Sequence, residues 1–360
     1  MISKIEIWMH NQHVGSMGMT TDGLCAFEYT NSWLNNGYSI SPFELPLEPG
    51  LKIASRHPFG GNFGVFADSL PDGWGLLVMH RYMQQKGVNA ANLSPLEWLC
   101  LVGSNGRGAL EYRPDKCLRN TQEYLSFEQL AAESDAILKE DNYTGEHLEE
   151  IVQRGGSPGG ARPKIFIRLD GKEWLVKFRA REDKKNVGER EYRYSLLAKQ
   201  CGINMPETRL FDGQWFGVER FDRTQSGKVH VVSAAGLLRA DYQIPCMDYR
   251  HLFALTMRLT HSMEEVWQLY RRMCFNVLIG NRDDHARNFS FIYTNDWHLS
   301  PAYDLLPCGI EGDYHTTSVC DNSLPTKKDV LALAKEQGLN MQKAEEIWEE
   351  MEGIRKTRKY

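Results

Sequence analysis

Residues 280–306 read GNRDDHARNFSFIYTNDWHLSPAYDLL. Four aspartates and two histidines share this stretch with asparagines and with two apolar runs, FSFIY (289–293) and WHLS (297–300), that read as strands. A solvated hairpin between polar loops is the plainest account. The spacing supports a second one. Asp283 and Asn288 form D-x-x-x-x-N, and Asp304 follows the hairpin. In a kinase catalytic loop that spacing sets a carboxylate at the attacking hydroxyl and an amide oxygen on Mg²⁺. Mg²⁺ takes hard oxygen ligands and bridges nucleotide phosphates, so it needs few protein groups, firmly held. The hairpin is then a rigid spacer that returns Asp304 towards Asn288. Taken alone, Asp283 reads equally well as a helix-end or turn aspartate, and Asp304 as a cap of the next turn.

The upstream half bears on that choice. RGGSPGGARPK (154–164) precedes an apolar strand, and its glycines let backbone N–H groups turn towards an anion with no Cβ in the way. A glycine-rich hairpin loop is the alternative. Lys177 lies in the next strand, WLVKF, where it either faces solvent at a sheet edge or holds nucleotide phosphates, as a strand lysine after a glycine loop does in kinases. Glu191 opens the helical stretch EREYRYSLLAKQCG, as a partner for Lys177 or as a first-turn glutamate favoured by the helix dipole. FGVERFD (216–222) ends the strand-rich half, where backbone groups of Glu219 and Phe221 could meet an adenine, or the stretch is buried strand with a surface ion pair. The order of pieces is glycine loop, strand lysine, helix, strand, helical region, D-x-x-x-x-N, hairpin, Asp. It predicts an α+β fold with a two-lobed, protein-kinase-like core.

The rest of the chain fits around that core. A length of 360 residues suggests two or three packed units. A formal net charge of -5 weighs against direct nucleic-acid binding as the main task. The eight cysteines include no C-x-x-C pair, so neither a zinc site nor a disulfide framework is expected and a cytoplasmic setting fits. No stretch approaches a membrane span. Residues 2–9 and QHVGSM read as a hairpin about His10–Asn11, and FEYTNSWL as a third strand. Ser126 with Gln129, Ser262 with Glu265 and Thr326 with Asp329 mark helix starts, and a further helix is expected over 146–153. Val266, Leu269, Tyr270, Met273, Cys274, Val277 and Leu278 recur at helical spacing just before the opening stretch. The expected divisions are a small N-terminal α/β subdomain over 1–120, a kinase-like N-lobe over 121–222 and a helical C-lobe over 223–360.

These residues together resemble the HipA family, serine/threonine kinase toxins of bacterial toxin–antitoxin modules. The likeness runs through IWMHNQHVG, FEYTNSWL, SLPDGWG and GRGALEY near the N-terminus, then SPGGARPK, EYRYSLLAKQCGINMP, VERFDR, GNRDDHARNFS and SPAYDLL. It implies an ATP- and Mg²⁺-dependent protein kinase with Asp283 as catalytic base and Asn288 and Asp304 as metal ligands. Gly159, Gly160, Ala161, Arg162, Pro163 and Lys164 would cover the nucleotide and Lys177 would bind it. Glu219, Arg220 and Phe221 would contact adenine. His285 would sit beside the phosphates, with Ala286, Arg287 and Tyr303 completing the nucleotide site. Ser157 matches the autophosphorylated serine of the family's loop. Pro158 and Arg162 depart from that loop, which usually carries a small aliphatic residue and a glutamine at these places. The implied partners are a protein substrate, an aminoacyl-tRNA synthetase being one candidate class, and a small DNA-binding HipB-like antitoxin that contacts DNA on the toxin's behalf. A small-molecule phosphotransferase and a non-catalytic corepressor are the competing readings.

Overall fold

The computed structural model describes residues 2–118, 125–139, 145, 147–155, 160–180, 182–308 and 313–357. The chain divides into two compact units, Met1–Glu189 with Arg209–His230, and Arg190–Thr208 with Val231–Tyr360. The fold is mixed α+β, as the sequence predicts.

Among the described residues the first unit holds a five-stranded and a four-stranded sheet and a two-stranded ladder, Arg223–Thr224 with Gly227–Lys228. The five strands run in the order Lys52–Ile53, Cys25–Tyr29, Gln12–Met19, Lys4–Met9, Glu111–Arg113, with every neighbouring pair antiparallel. Its first hairpin closes on His10 and Asn11, both at positive φ (50° and 61°), which matches a two-residue turn to the twist of the flanking strands. FEYTNSWL is not one strand. Strand pairing stops at Tyr29 because Thr30 caps a helix, Asn31–Asn36, its hydroxyl accepting from the Trp33 amide at 3.2 Å.

The second sheet runs Lys164–Leu169, Lys172–Lys177, Trp215–Glu219, Thr208–Phe211. Its first hairpin turns on Asp170 and Gly171, again at positive φ. Ile165, Trp174 and Val176 point from this sheet into a core shared with Trp74, Leu130 and Ile151, which lie on the helices Gly73–Gln85, Phe127–Lys139 and Leu148–Gly155. The middle helix starts with a reciprocal box: the Ser126 amide donates to Gln129 Oε1 (2.9 Å), and the Gln129 amide to Ser126 Oγ (3.2 Å). The helix expected over 146–153 is shifted to Leu148–Gly155.

A buried carboxylate ties the segment that precedes Glu111–Arg113 to the segment that follows Trp215–Glu219. Asp222 accepts from Arg220 Nη2, Arg223 Nη1 and the Gly108 amide, each at 2.8 Å. Burial pushes its carboxyl up, but the charges of Arg220 and Arg223 outweigh burial and hold it well below the usual range.

The second unit is mostly helical: Tyr249–Thr260, Met263–Ile279, Lys327–Glu336 and Met341–Thr357. It also carries a three-stranded sheet, His230–Ser233, Ser290–Tyr293, Trp297–Leu299, whose first strand starts at the last residue of the first unit, His230. Ser262 Oγ accepts from the Glu265 amide, and the Asp329 carboxylate accepts from both the amide and the hydroxyl of Thr326. The Met263–Ile279 helix buries its periodic apolar face, with Val277 only half-buried. It also buries Arg272 and Asn276, which no apolar pattern reveals. Burial lowers the Arg272 guanidinium to about 10, and one of its terminal nitrogens donates to the Ser300 carbonyl. Among the described residues no helix is long and apolar enough to cross a membrane.

Candidate functional site

In the first unit the glycine-loop strand and the lysine strand are antiparallel neighbours in register, with Lys164 opposite Lys177, Phe166 opposite Leu175 and Arg168 opposite Glu173. Directly opposed residues share a face. Ile165 and Val176 face the core, so Lys164 and Lys177 lie on the other face. Phe216 continues the row on the third strand, with Lys177 Nζ 5.8 Å from its ring centre. Two lysines thus stand directly opposite each other on the face away from the core. Lys164 is buried and Lys177 half-buried. Gly160 lies beside the Lys164 ammonium: a Cβ at Gly160 would come within 2.7 Å of Lys164 Nζ.

Other predicted residues of this unit are already engaged. Arg162 forms a two-pronged ion pair with Asp183, its Nε at 3.0 Å from Oδ2 and its Nη2 at 3.0 Å from Oδ1. Ala161 is exposed, and Pro163 is buried with its carbonyl accepting from the Phe178 amide. Glu219 reaches Lys172 at 2.8 Å. The Arg220 amide donates to the Glu173 carbonyl, so that N–H is spent within the sheet, and the guanidinium stacks over Phe166 at 3.8 Å. Phe221 is half-buried. Ser157, Pro158 and Gly159 lie outside the described residues.

In the second unit the long helix ends at Gly280, whose φ of 68° turns the chain into the D-x-x-x-x-N stretch. Asp283 is exposed. Asn288 Nδ2 donates to the Asp283 carbonyl at 2.7 Å, so the nitrogen of this amide is engaged, and its oxygen is the end a hard cation would take. His285 Nε2 lies 3.8 Å from Asp283 Oδ1, and its ring is 5.7 Å from that of Tyr242. Ala286 is buried. The Arg287 guanidinium donates to the Tyr242 hydroxyl (3.0 Å), and the Arg287 carbonyl accepts from the Tyr303 hydroxyl (2.8 Å). Tyr303 and Arg287 therefore brace the backbone between the two motifs.

Asp304 has φ of 55°, a left-handed conformation uncommon for residues other than glycine and recurrent where backbone strain serves a site. Its carbonyl accepts from Asn281 Nδ2 at 3.1 Å, and the same nitrogen donates to Asn276 Oδ1 at 3.0 Å. Glu191, on the helix Val187–Gln200, is buried. Among the described residues no three His, Cys, Asp or Glu side chains cluster as a metal site. The amide oxygen of Asn288 and the carboxylate of Asp304 are hard oxygen donors, the kind that Mg²⁺ takes.

The aspartate beside the predicted one was missed by sequence reasoning. Asp284 is buried, whereas Asp283 is exposed. Asp284 Oδ2 accepts from the Tyr249 hydroxyl (3.1 Å) and meets His315 Nδ1 (3.0 Å), while Oδ1 accepts from the Thr317 amide (3.1 Å). Asn276 Nδ2 adds a bond to the Tyr249 oxygen at 3.0 Å. This network fastens the stretch 281–288, the turn at Asp304 and the segment 315–317 to two helices. The doublet Asp283–Asp284 was its only trace in the sequence.

Two family models match the chain: the HipA N-terminal domain over residues 5–113, and the HipA-like C-terminal domain over residues 156–357. "Putative kinase Y4dM" of Sinorhizobium fredii is 25% identical over 383 residues, covering 97% of this chain and 88% of that protein. The serine/threonine-protein kinase toxin HipA of Shewanella oneidensis is 22% identical over 364 residues, covering 86% of this chain and 76% of the toxin. HipA from the Shewanella oneidensis complex of HipA, HipB and operator DNA superposes with a TM-score of 0.72 at 19% identity, covering 99% of this chain and 92% of that one. That likeness speaks for the fold.

Proposed function

The chain belongs to the HipA family, and from that premise we propose that it is an ATP- and Mg²⁺-dependent protein serine/threonine kinase, the toxin of a toxin–antitoxin pair. The observation that carries the reading is the braced stretch 281–288 with Asp304: an exposed carboxylate, an amide whose nitrogen is fixed on the Asp283 carbonyl and a second carboxylate on a left-handed backbone. Lys164 and Lys177 neutralise phosphate charge. Asp283 takes the proton of a serine hydroxyl as its oxygen bonds to the γ-phosphorus and the bond from that phosphorus to the bridging oxygen breaks, releasing ADP. Asn288 and Asp304 would hold Mg²⁺, which would supply charge neutralisation on the phosphates. Glu219 to Phe221 contact adenine through the Glu219 carbonyl and the Phe221 amide rather than the Arg220 amide. Ser157 is the autophosphorylation site, where about -1.5 to -2 of added charge beside the phosphate-binding lysines would oppose ATP. The partner is a small DNA-binding antitoxin of the HipB kind.

Labelled ATP, Mg²⁺ and a cell lysate test the reading. Labelled protein bands are expected with the unmodified chain. Label on small molecules alone would turn the assignment to a metabolite kinase. No transfer, together with no Mg·ATP uptake by calorimetry, would remove the enzymatic reading altogether.

A further inference from the structure

SLPDGWG (69–75) lies far from the glycine loop in sequence and has no part in the chemistry above, yet it holds that loop. The Gly160 amide donates to Asp72 Oδ1, and the Trp74 amide donates to the Gly160 carbonyl at 2.9 Å. Both peptide groups of Gly160 are thus gripped by one turn. The Trp74 ring is fully buried, and its Nε1 donates to the Lys164 carbonyl at 3.1 Å, a second point of attachment at the other end of 160–164. The fit leaves no spare room. Gly73 sits at φ of 42°, and a Cβ there would lie 2.6 Å from the Gly160 carbonyl carbon and oxygen. A Cβ at Gly155 would lie 2.7 Å from the Lys164 carbonyl oxygen and 3.1 Å from Trp74 Nε1. A tryptophan anchored in the core, a glycine that permits contact and a carboxylate that accepts a backbone N–H converge on one short segment.

We infer that Asp72, Gly73 and Trp74 form a positioning element that fixes the Gly160–Lys164 segment, and with it the Lys164 ammonium opposite Lys177, in the geometry that receives the nucleotide phosphates. The inference rests on the kinase reading for its ligand. None of the three residues touches the reacting atoms. Their effect is on nucleotide affinity through the segment they hold. A carboxylate suits this task because a charged acceptor strengthens the bond to an N–H, and asparagine keeps an acceptor oxygen in the same place.

The test uses the full chain with Mg·ATP as the probe. Calorimetry on Asp72→Ala is expected to show about tenfold weaker binding, the loss of one charge-assisted hydrogen bond. Asp72→Asn should recover most of it. Gly73→Ala should weaken binding at least as much, and phosphotransfer at saturating ATP should fall far less than affinity. Amide exchange in the unmodified, nucleotide-free chain gives a reading that needs no variant: the 160–164 peptide should already be protected. Exchange of that peptide at the rate of free chain overturns the inference whatever the variants do. So does unchanged binding by Asp72→Ala, while tighter binding would mean that the Asp72 carboxylate competes with phosphate for the Gly160 amide. If the unmodified chain takes up no Mg·ATP, the kinase reading fails first, and the exchange measurement still decides whether the clamp exists.

Discussion

The two units hold their candidate loops in opposite ways. In the strand-rich unit the segment 160–164 is fixed through its backbone: main-chain bonds to Asp72 and Trp74, and glycines that allow the chains to touch. In the helix-rich unit the stretch 281–288 is fixed through buried side chains that converge on Asp284 and Asn281. A backbone clamp tolerates changes in many side chains but fails when a methyl group is added at a contact glycine. A side-chain network does the reverse, since each buried donor depends on a particular acceptor.

The sharpest test separates Asp283 from its neighbour. Asp283→Asn should lower phosphotransfer by about 10²- to 10⁴-fold, the range for removing a general base, while the melting temperature stays within a degree or two because the side chain is exposed. Steady-state rates and a thermal melt on the same preparation check both parts. Asp284→Ala should instead reduce stability by roughly 3 to 5 kcal/mol, as it strands the Tyr249 hydroxyl, the His315 ring and the Thr317 amide in a buried place. Urea denaturation measures it. A loss below about 1 kcal/mol would break the contrast between the units.

The smallest effect belongs to the strand-rich unit. His230 is buried with Nε2 at 2.8 Å from the Ile40 carbonyl, and burial lowers its imidazole to about 4. Between about 6.5 and 4 the unfolded chain binds a proton that the folded chain refuses, so stability falls as pH drops through that window. The loss should reach about 2 to 3 kcal/mol at the acid end. His230→Gln, which keeps a donor for Ile40, should flatten the acid limb of a stability–pH curve.

Much of this was legible in the sequence because it depends on short-range chemistry. The His10–Asn11 turn, the Ser126–Gln129 box and the apolar face of Met263–Ile279 each declare themselves within a few residues. FEYTNSWL misled because its alternation continues past Thr30, where a hydroxyl cap prevails over strand pairing. The support of the candidate site was illegible for the opposite reason. Asp284 finds its partners at 249 and 315–317, and Gly160 finds its own at 72–74. Burial separates Asp283 from Asp284, and no local property of two adjacent identical residues carries that difference.

The left-handed backbone at Asp304 also narrows the choice of inactive variants. Alanine there would remove the carboxylate and also disfavour the turn, so a dead Asp304→Ala protein could not be assigned to lost metal binding. Asparagine, like aspartate, is among the few residues other than glycine enriched in that region of backbone space. Asp304→Asn is thus the form in which the chain's scaffold could be produced without the carboxylate and with its surfaces intact.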